Sequence, residues 1–116
     1  MVVITGPTGH IGNVLVRELL IRGDRVRALV LPGEDLTPIQ GLDIETVEGD
    51  VLDLDSLIRA FEGADVVYHL AGVISIVPGE WDLLYKVNVV GTRNVIRACS
   101  ACGVRRLVYA SSIHAF

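Results

Sequence analysis

Short, mostly apolar runs alternate along the chain with longer segments in which apolar residues return every three or four positions. Val2 to Ile4, Val26 to Val30, Glu45 to Val47, Ala64 to Leu70 and Arg106 to Ser111 are the short runs. Val2 to Ile4 is continuously apolar rather than alternating, which predicts a strand covered on both faces, as in a parallel sheet. Between the first two runs, Ile11, Val14, Leu15 and Leu19 share a helical face, Arg17, Glu18 and Arg22 fall elsewhere, and Gly23 is a C-cap. Pro32, Gly33, Pro38 and Gly41 restrict the crossover from Pro32 to Asp43 to a loop with at most one helical turn. Asp53 can N-cap a helix with Leu54, Leu57, Ile58 and Phe61 on its apolar face, ending at Gly63. Gly79 to Cys102 reads as one long helix, apolar at Leu83, Leu84, Val87, Val90, Val95 and Ile96 and closed by Gly103. Gly91 interrupts it at a cost of about 1 kcal/mol against alanine, which points to a close backbone approach or a bend. Strands alternating with crossovers predict an α/β fold, a Rossmann-type parallel sheet of order 3-2-1-4-5 with helices on both faces.

With 116 residues the chain has the size of one domain, residues 1–116. Although 51% of the residues are hydrophobic, no apolar run approaches a membrane span and no basic segment leads into a signal-like core. A soluble, cytoplasmic protein without a membrane partner is expected. The net charge of −4, with arginines scattered among acids, offers no stripe for a phosphate backbone, so no nucleic-acid partner is expected. Cys99 and Cys102 have a C-x-x-C spacing, but no further Cys or His pair stands at ligand distance in sequence. Core packing near a helix end is the preferred reading over a metal or redox site, and no metal is expected.

The stretch carrying most chemistry is Thr5-Gly6-Pro7-Thr8-Gly9-His10-Ile11-Gly12, between the first strand and the first helix. Three glycines there let the backbone turn sharply and meet a bulky anion without Cβ interference. The helix start adds unpaired N–H groups and the positive end of its dipole, so the pyrophosphate of a dinucleotide fits that point. Pro7 has no N–H, which leaves Thr8, Gly9, His10 and Ile11 as donors. The spacing Gly-x-x-Gly-x-x-Gly is one residue longer at its first gap than the standard dinucleotide fingerprint, and no Gly-Lys-Ser/Thr ending supports a P-loop. At the end of the second strand, where an acid would bind the adenosine 2′-hydroxyl and an arginine would accept a 2′-phosphate, stand Val30 and Leu31. NAD and NADP therefore both stay open as cofactors, and nearby Arg27 reads equally well as a solvated or packed side chain. Ala71 and Gly72 after the fourth strand leave room for a flat ring or ribose, the alternative being a turn that needs glycine.

Five motifs in order, Thr5-Gly6-x-x-Gly9-His10-Ile11-Gly12, Gly49-Asp50-Val51, His69-Leu70-Ala71-Gly72, Asn88-Val-x-Gly91-Thr92-x-Asn94-Val95 and Val108-Tyr-Ala-Ser-Ser112, span the chain. In order and spacing they closely resemble the extended short-chain dehydrogenase/reductases, which include NAD(P)-dependent epimerases, dehydratases and dihydroflavonol-reductase-like enzymes. The resemblance implies that Gly6, Gly9, Ile11 and Gly12 hold pyrophosphate, that Asp50 and Val51 bracket adenine, and that Leu70, Ala71 and Gly72 line the ribose and nicotinamide side. It places Ser112 on the family's catalytic Ser/Thr, which hydrogen-bonds the substrate oxygen, and Asn88 on a helix asparagine of more structural role. His10, His69 and His114 have no catalytic counterpart, and packing or a helix-terminus role is expected for each.

The family's acid–base residue is a Tyr in Tyr-x-x-x-Lys, and here Tyr68, Tyr85 and Tyr109 are followed four places on by Gly72, Val89 and Ile113. The resemblance thus covers an amino-terminal part, and the chain is expected to be a fragment, truncated after the fifth strand and inactive by itself. Its complete form is expected to act by hydride transfer on a sugar nucleotide or a small carbonyl or alcohol substrate. The alternative is a non-catalytic NAD(P)-binding sensor or regulatory module. An open fifth strand and the Leu83, Val87 and Val90 stripe lead to the expectation of a homodimer or higher oligomer.

Overall fold

A computed structural model of the chain describes residues 1–70 and 86–110. Five parallel strands, β1 (Val2–Thr5), β2 (Val26–Val30), β3 (Glu45–Glu48), β4 (Val66–His69) and β5 (Arg106–Tyr109), form one sheet in the order β3-β2-β1-β4-β5. The order matches the handedness argument from sequence. β1 sits centrally, its Thr5 in register with Leu29 on one side and His69 on the other. β1 and β3 run one residue beyond the predicted Ile4 and Val47, to Thr5 and Glu48, whereas β4 is shorter than the run from Ala64 to Leu70. Ala64 belongs to the turn after the second helix, its N–H bonded to the Phe61 carbonyl, so β4 starts only at Val66.

Alternate residues of β1 divide the core. Val2 and Ile4 pack with Val16 and Leu19 of helix α1 (His10–Ile21), whereas Val3 faces the opposite layer, α2 (Leu54–Phe61) and α3 (Gly91–Cys102). α2 starts as its sequence predicts, with the Asp53 carboxylate accepting from the Ser56 N–H at 3.4 Å. Its last turn is held by Arg27 of β2, whose guanidinium donates to the carbonyls of Ala60 at 2.7 Å and Glu62 at 2.8 Å. Arg27 is therefore a packed side chain. Its Nε lies 3.2 Å from the Glu45 carboxylate as an ion pair, without the angle of a hydrogen bond. The crossover after β2 contains a single 3-10 turn, Thr37–Ile39, within the limit its prolines and glycines set.

Two helical faces differ from the periodicity reading. Ile11 and Val14 are exposed, at 66% and 50%, while Gly12, Val16 and Leu19 face inward. The cause is Gly12, which must lie against the glycine loop and so rotates α1 away from the face centred on Ile11 and Val14. The predicted single helix from Gly79 to Cys102 is also not uniform: Lys86–Val90 is a π-helical turn, and α3 proper begins at Gly91. Residues 79–85 lie outside the described residues. Ile96, counted on the apolar face, is 53% exposed because Gly91, Asn94, Val95 and Ala98 set the inward side of α3. Gly103 ends that helix in the left-handed region, φ 69°, as a C-cap glycine does. No helix among the described residues is long and apolar enough to cross a membrane.

Candidate nucleotide site at the carboxyl edge of the sheet

Parallel strands bring their carboxyl ends to one edge, and the loops that leave that edge carry most of the residues singled out from sequence. Gly6 turns the chain at φ 75°, a conformation that a side chain would disfavour. The loop then closes tightly on α1: a Cβ added to Gly12 would lie 2.0 Å from the Gly6 carbonyl oxygen. Gly9 is the N-cap, with ordinary φ of −69° and a virtual Cβ no nearer than 3.7 Å to anything. The first intrahelical bond, from the Asn13 N–H to the Gly9 carbonyl at 2.9 Å, leaves the N–H groups of His10, Ile11 and Gly12 pointing out of the helix end. No side chain caps that end, and no acid occupies its first turn. The local arrangement is a helix end that presents backbone N–H groups, with His10 and Ile11 side chains exposed beside it.

The β2 end shows which of its two residues faces outward. Val30 is buried in the sheet, at 5% exposure, and Leu31 is 51% exposed, so only Leu31 presents a side chain at the edge. A carboxylate missed in the sequence joins it. Glu34 accepts from the Leu31 N–H at 2.9 Å and from the Thr8 hydroxyl of the glycine loop.

After β3, Gly49 is buried where a Cβ would meet Leu29 Cδ1 at 2.6 Å. Asp50 follows in a tight turn, its N–H donating to Ser56 Oγ at 3.0 Å and its carboxylate accepting from the Leu52 N–H at 2.9 Å. Val51 is buried beneath α3. Its carbonyl accepts from the buried Asn94 amide at 2.9 Å, and a Cβ at Gly91 would approach its Cγ2 to 2.8 Å. Gly91 thus serves the close approach, and the π-helical turn just before it marks the change of helical path as well. Such turns recur at functional sites; Asn88 lies within it, half-buried.

At the β4 end, His69 is buried between two hydroxyls, Nδ1 at 2.7 Å from Thr5 Oγ1 and Nε2 at 3.3 Å from Thr92 Oγ1. Its ring stacks on Tyr109 of β5 with centroids 5.4 Å apart. Burial pushes the imidazole pKa down to about 4. A neutral ring serves both hydroxyls, one nitrogen accepting and the other donating. His69 accordingly ties β1, β4, β5 and α3 together. Leu70 continues the edge, its N–H donating to Thr5 Oγ1 at 3.1 Å. Ala71, Gly72, Ser112 and His114 lie outside the described residues. Cys99 is buried and Cys102 donates to the Ile58 carbonyl at 3.3 Å, with burial raising both thiol pKa values, that of Cys99 to about 11. Among the described residues no group of three potential ligands could hold a metal ion.

The glycine loop, the β2 and β3 ends and Leu70 therefore share one edge. Glu34, Asn94 and the His69–Thr92 pair were not assigned to it from sequence. A Pro-Gly turn signalled Glu34, and an asparagine on an otherwise apolar helix face signalled Asn94.

Comparison with known proteins shows the family and the fold. The 3-beta hydroxysteroid dehydrogenase/isomerase family matches residues 3–116. Sterol demethylase protein B of Methylococcus capsulatus is 44% identical over 97% of this chain and 34% of its own length. A short-chain dehydrogenase/reductase superfamily protein from Agrobacterium tumefaciens, solved with bound NAD, is 39% identical with a TM-score of 0.81 over 97% of this chain and 32% of its own. UDP-glucose 4-epimerase of Thermus thermophilus, solved as a complex with NAD, is 32% identical with a TM-score of 0.84 over 96% of this chain and 37% of its own. The chain spans about a third of the length of these relatives.

Proposed function

Since the chain belongs to the 3-beta hydroxysteroid dehydrogenase/isomerase family, we propose that it is the NAD(P)-binding part of a dehydrogenase, reductase or epimerase that works by hydride transfer. The observation that carries this reading is the contact of Gly12 with the Gly6 carbonyl, which closes the loop into a cradle of backbone N–H groups. In this reading the pyrophosphate rests on Gly6, Thr8, Gly9, His10, Ile11 and Gly12, the adenosine ribose lies by Leu31, and adenine sits against Asp50 and Val51. Leu70, Ala71 and Gly72 line the nicotinamide half, with Asn88 supporting from the π-helical turn. The bound cofactor would supply the hydride chemistry, and the protein orients it. Ser112 hydrogen-bonds a substrate oxygen, that of a sugar nucleotide or a small carbonyl or alcohol compound.

A lone hydroxyl is a poor base near neutral pH without a partner to take its proton, and no Tyr in the sequence is followed four residues on by Lys. The 116-residue polypeptide is therefore proposed to bind the dinucleotide without turning it over, and it is proposed to self-associate. Calorimetric titration with NAD and NADP, nicotinamide absorbance with sugar nucleotides and aromatic ketones, and light scattering test these points in one preparation. Binding without turnover in a dimer or larger species is the expected result. Absence of binding to both dinucleotides overturns the cofactor assignment, turnover overturns the missing-base argument, and a clean monomer overturns the self-association.

A further inference from the structure

The end of β2 lacks an acid in sequence, yet the chain returns one to that place. Pro32 and Gly33 occupy the centre of a turn in which the Glu34 N–H bonds the Leu31 carbonyl at 3.0 Å and Gly33 has φ 79°. That is the pattern of a type II turn, with proline at its second and glycine at its third position. The reversal brings the Glu34 side chain back over the strand end. One carboxylate oxygen accepts from the Leu31 N–H at 2.9 Å, and the other accepts from the Thr8 hydroxyl. A long, rotamer-rich side chain is thereby fixed at both oxygens, half-buried between Leu31, just past β2, and the glycine loop. None of the ion pairs among the described residues involves Glu34. Its neighbour at the strand end is Leu31, which offers no cation.

We propose that Glu34 makes this site selective for NAD over NADP, a reading that rests on the dinucleotide assignment above. With pyrophosphate on the glycine loop, the adenosine ribose falls between that loop and the end of β2. A carboxylate has about four acceptor positions, and the two contacts Glu34 makes leave others for the ribose hydroxyls. A 2′-phosphate at the same place brings about two negative charges against a carboxylate that its turn and its two hydrogen bonds prevent from swinging away. The Leu31 side chain supplies nothing to neutralise them.

Titration of the 116-residue chain with NAD and NADP, beside Glu34→Gln and Glu34→Asp, decides the matter. The wild type is expected to bind NAD at least roughly tenfold more tightly than NADP, which corresponds to about 1.4 kcal/mol. Glu34→Gln should bring the two affinities to within about threefold, mainly by strengthening NADP, and Glu34→Asp should keep the preference. Should the glutamine variant melt far below wild type, salt gives a second measurement. Screening weakens a repulsion, so the NADP affinity of the wild type relative to NAD must rise with ionic strength. An unchanged ratio in folded Glu34→Gln, a wild-type preference for NADP, or a relative NADP affinity that falls with salt overturns the role of Glu34 while NAD binding stands. Binding of neither dinucleotide overturns the site itself.

Discussion

Two glycines of the same loop should fail for different reasons when replaced. At Gly12 an added Cβ would stand 2.0 Å from the Gly6 oxygen, 2.9 Å from the Gly6 carbonyl carbon and 3.1 Å from Pro7 Cα. Non-bonded carbon pairs settle at about 3.5–4.0 Å, so α1 and the loop would have to part by about 1 Å or more. All three partners are backbone, and none can rotate out of the way. Overpacking of this kind costs about 1–3 kcal/mol where side chains can yield, so Gly12→Ala is expected to reach about 3 kcal/mol. For a domain of this size that lowers the melting temperature by about 10 °C. Gly9 lacks any such neighbour, the nearest atom to its virtual Cβ being 3.7 Å away. Gly9→Val should cost only the poorer N-cap, about 1 kcal/mol, yet abolish dinucleotide binding by placing a branched side chain where backbone must meet phosphate. Thermal unfolding by circular dichroism and calorimetric titration with NAD separate the two effects. Gly12→Ala melting with the wild type would refute the close-packed turn, and Gly9→Val binding NAD like the wild type would remove Gly9 from the cradle.

Two further substitutions examine the supports behind the site. Asn94→Ala leaves the buried Val51 carbonyl without its donor, an expected loss of about 1–3 kcal/mol in urea unfolding together with weaker NAD binding as Val51 loosens; an unfolding midpoint equal to wild type would show that the bond contributes nothing. His69 couples stability to pH: its folded pKa of about 4 lies below the ordinary value of 6.5, so the unfolded chain takes up a proton first and stability falls as pH drops from 6.5 towards 4. The full effect is about 3 kcal/mol. It should be missing from the pH dependence of His69→Gln, and equal acid sensitivity of both proteins would contradict the buried neutral ring.

How far the sequence could be read depended on whether a residue's role came from its own neighbours along the chain. The five strands, their order and the Asp53 cap are local or topological consequences, and the described structure has them. Helix faces were legible only to within one residue's rotation, because hydrophobic periodicity counts Ile11 and Val14 as apolar without knowing that Gly12 must touch Gly6. The same limit applies at Ile96, where contacts of Gly91 and Asn94 with Val51, forty or more positions earlier, choose the inward face of α3. A mid-helix Gly91 signals a close approach or a bend, but its partner comes only from the folded chain. Glu34 is the sharpest case. Scanning strand ends for an acid stops at Leu31, while the Pro32-Gly33 pair encodes a reversal that carries the next residue back to the spot. Turn chemistry, commonly used to say where a strand stops, here also determines which side chain occupies the strand's end. A position in a parallel-sheet site is better assigned by following such a turn through to its hydrogen bonds than by counting residues from the strand.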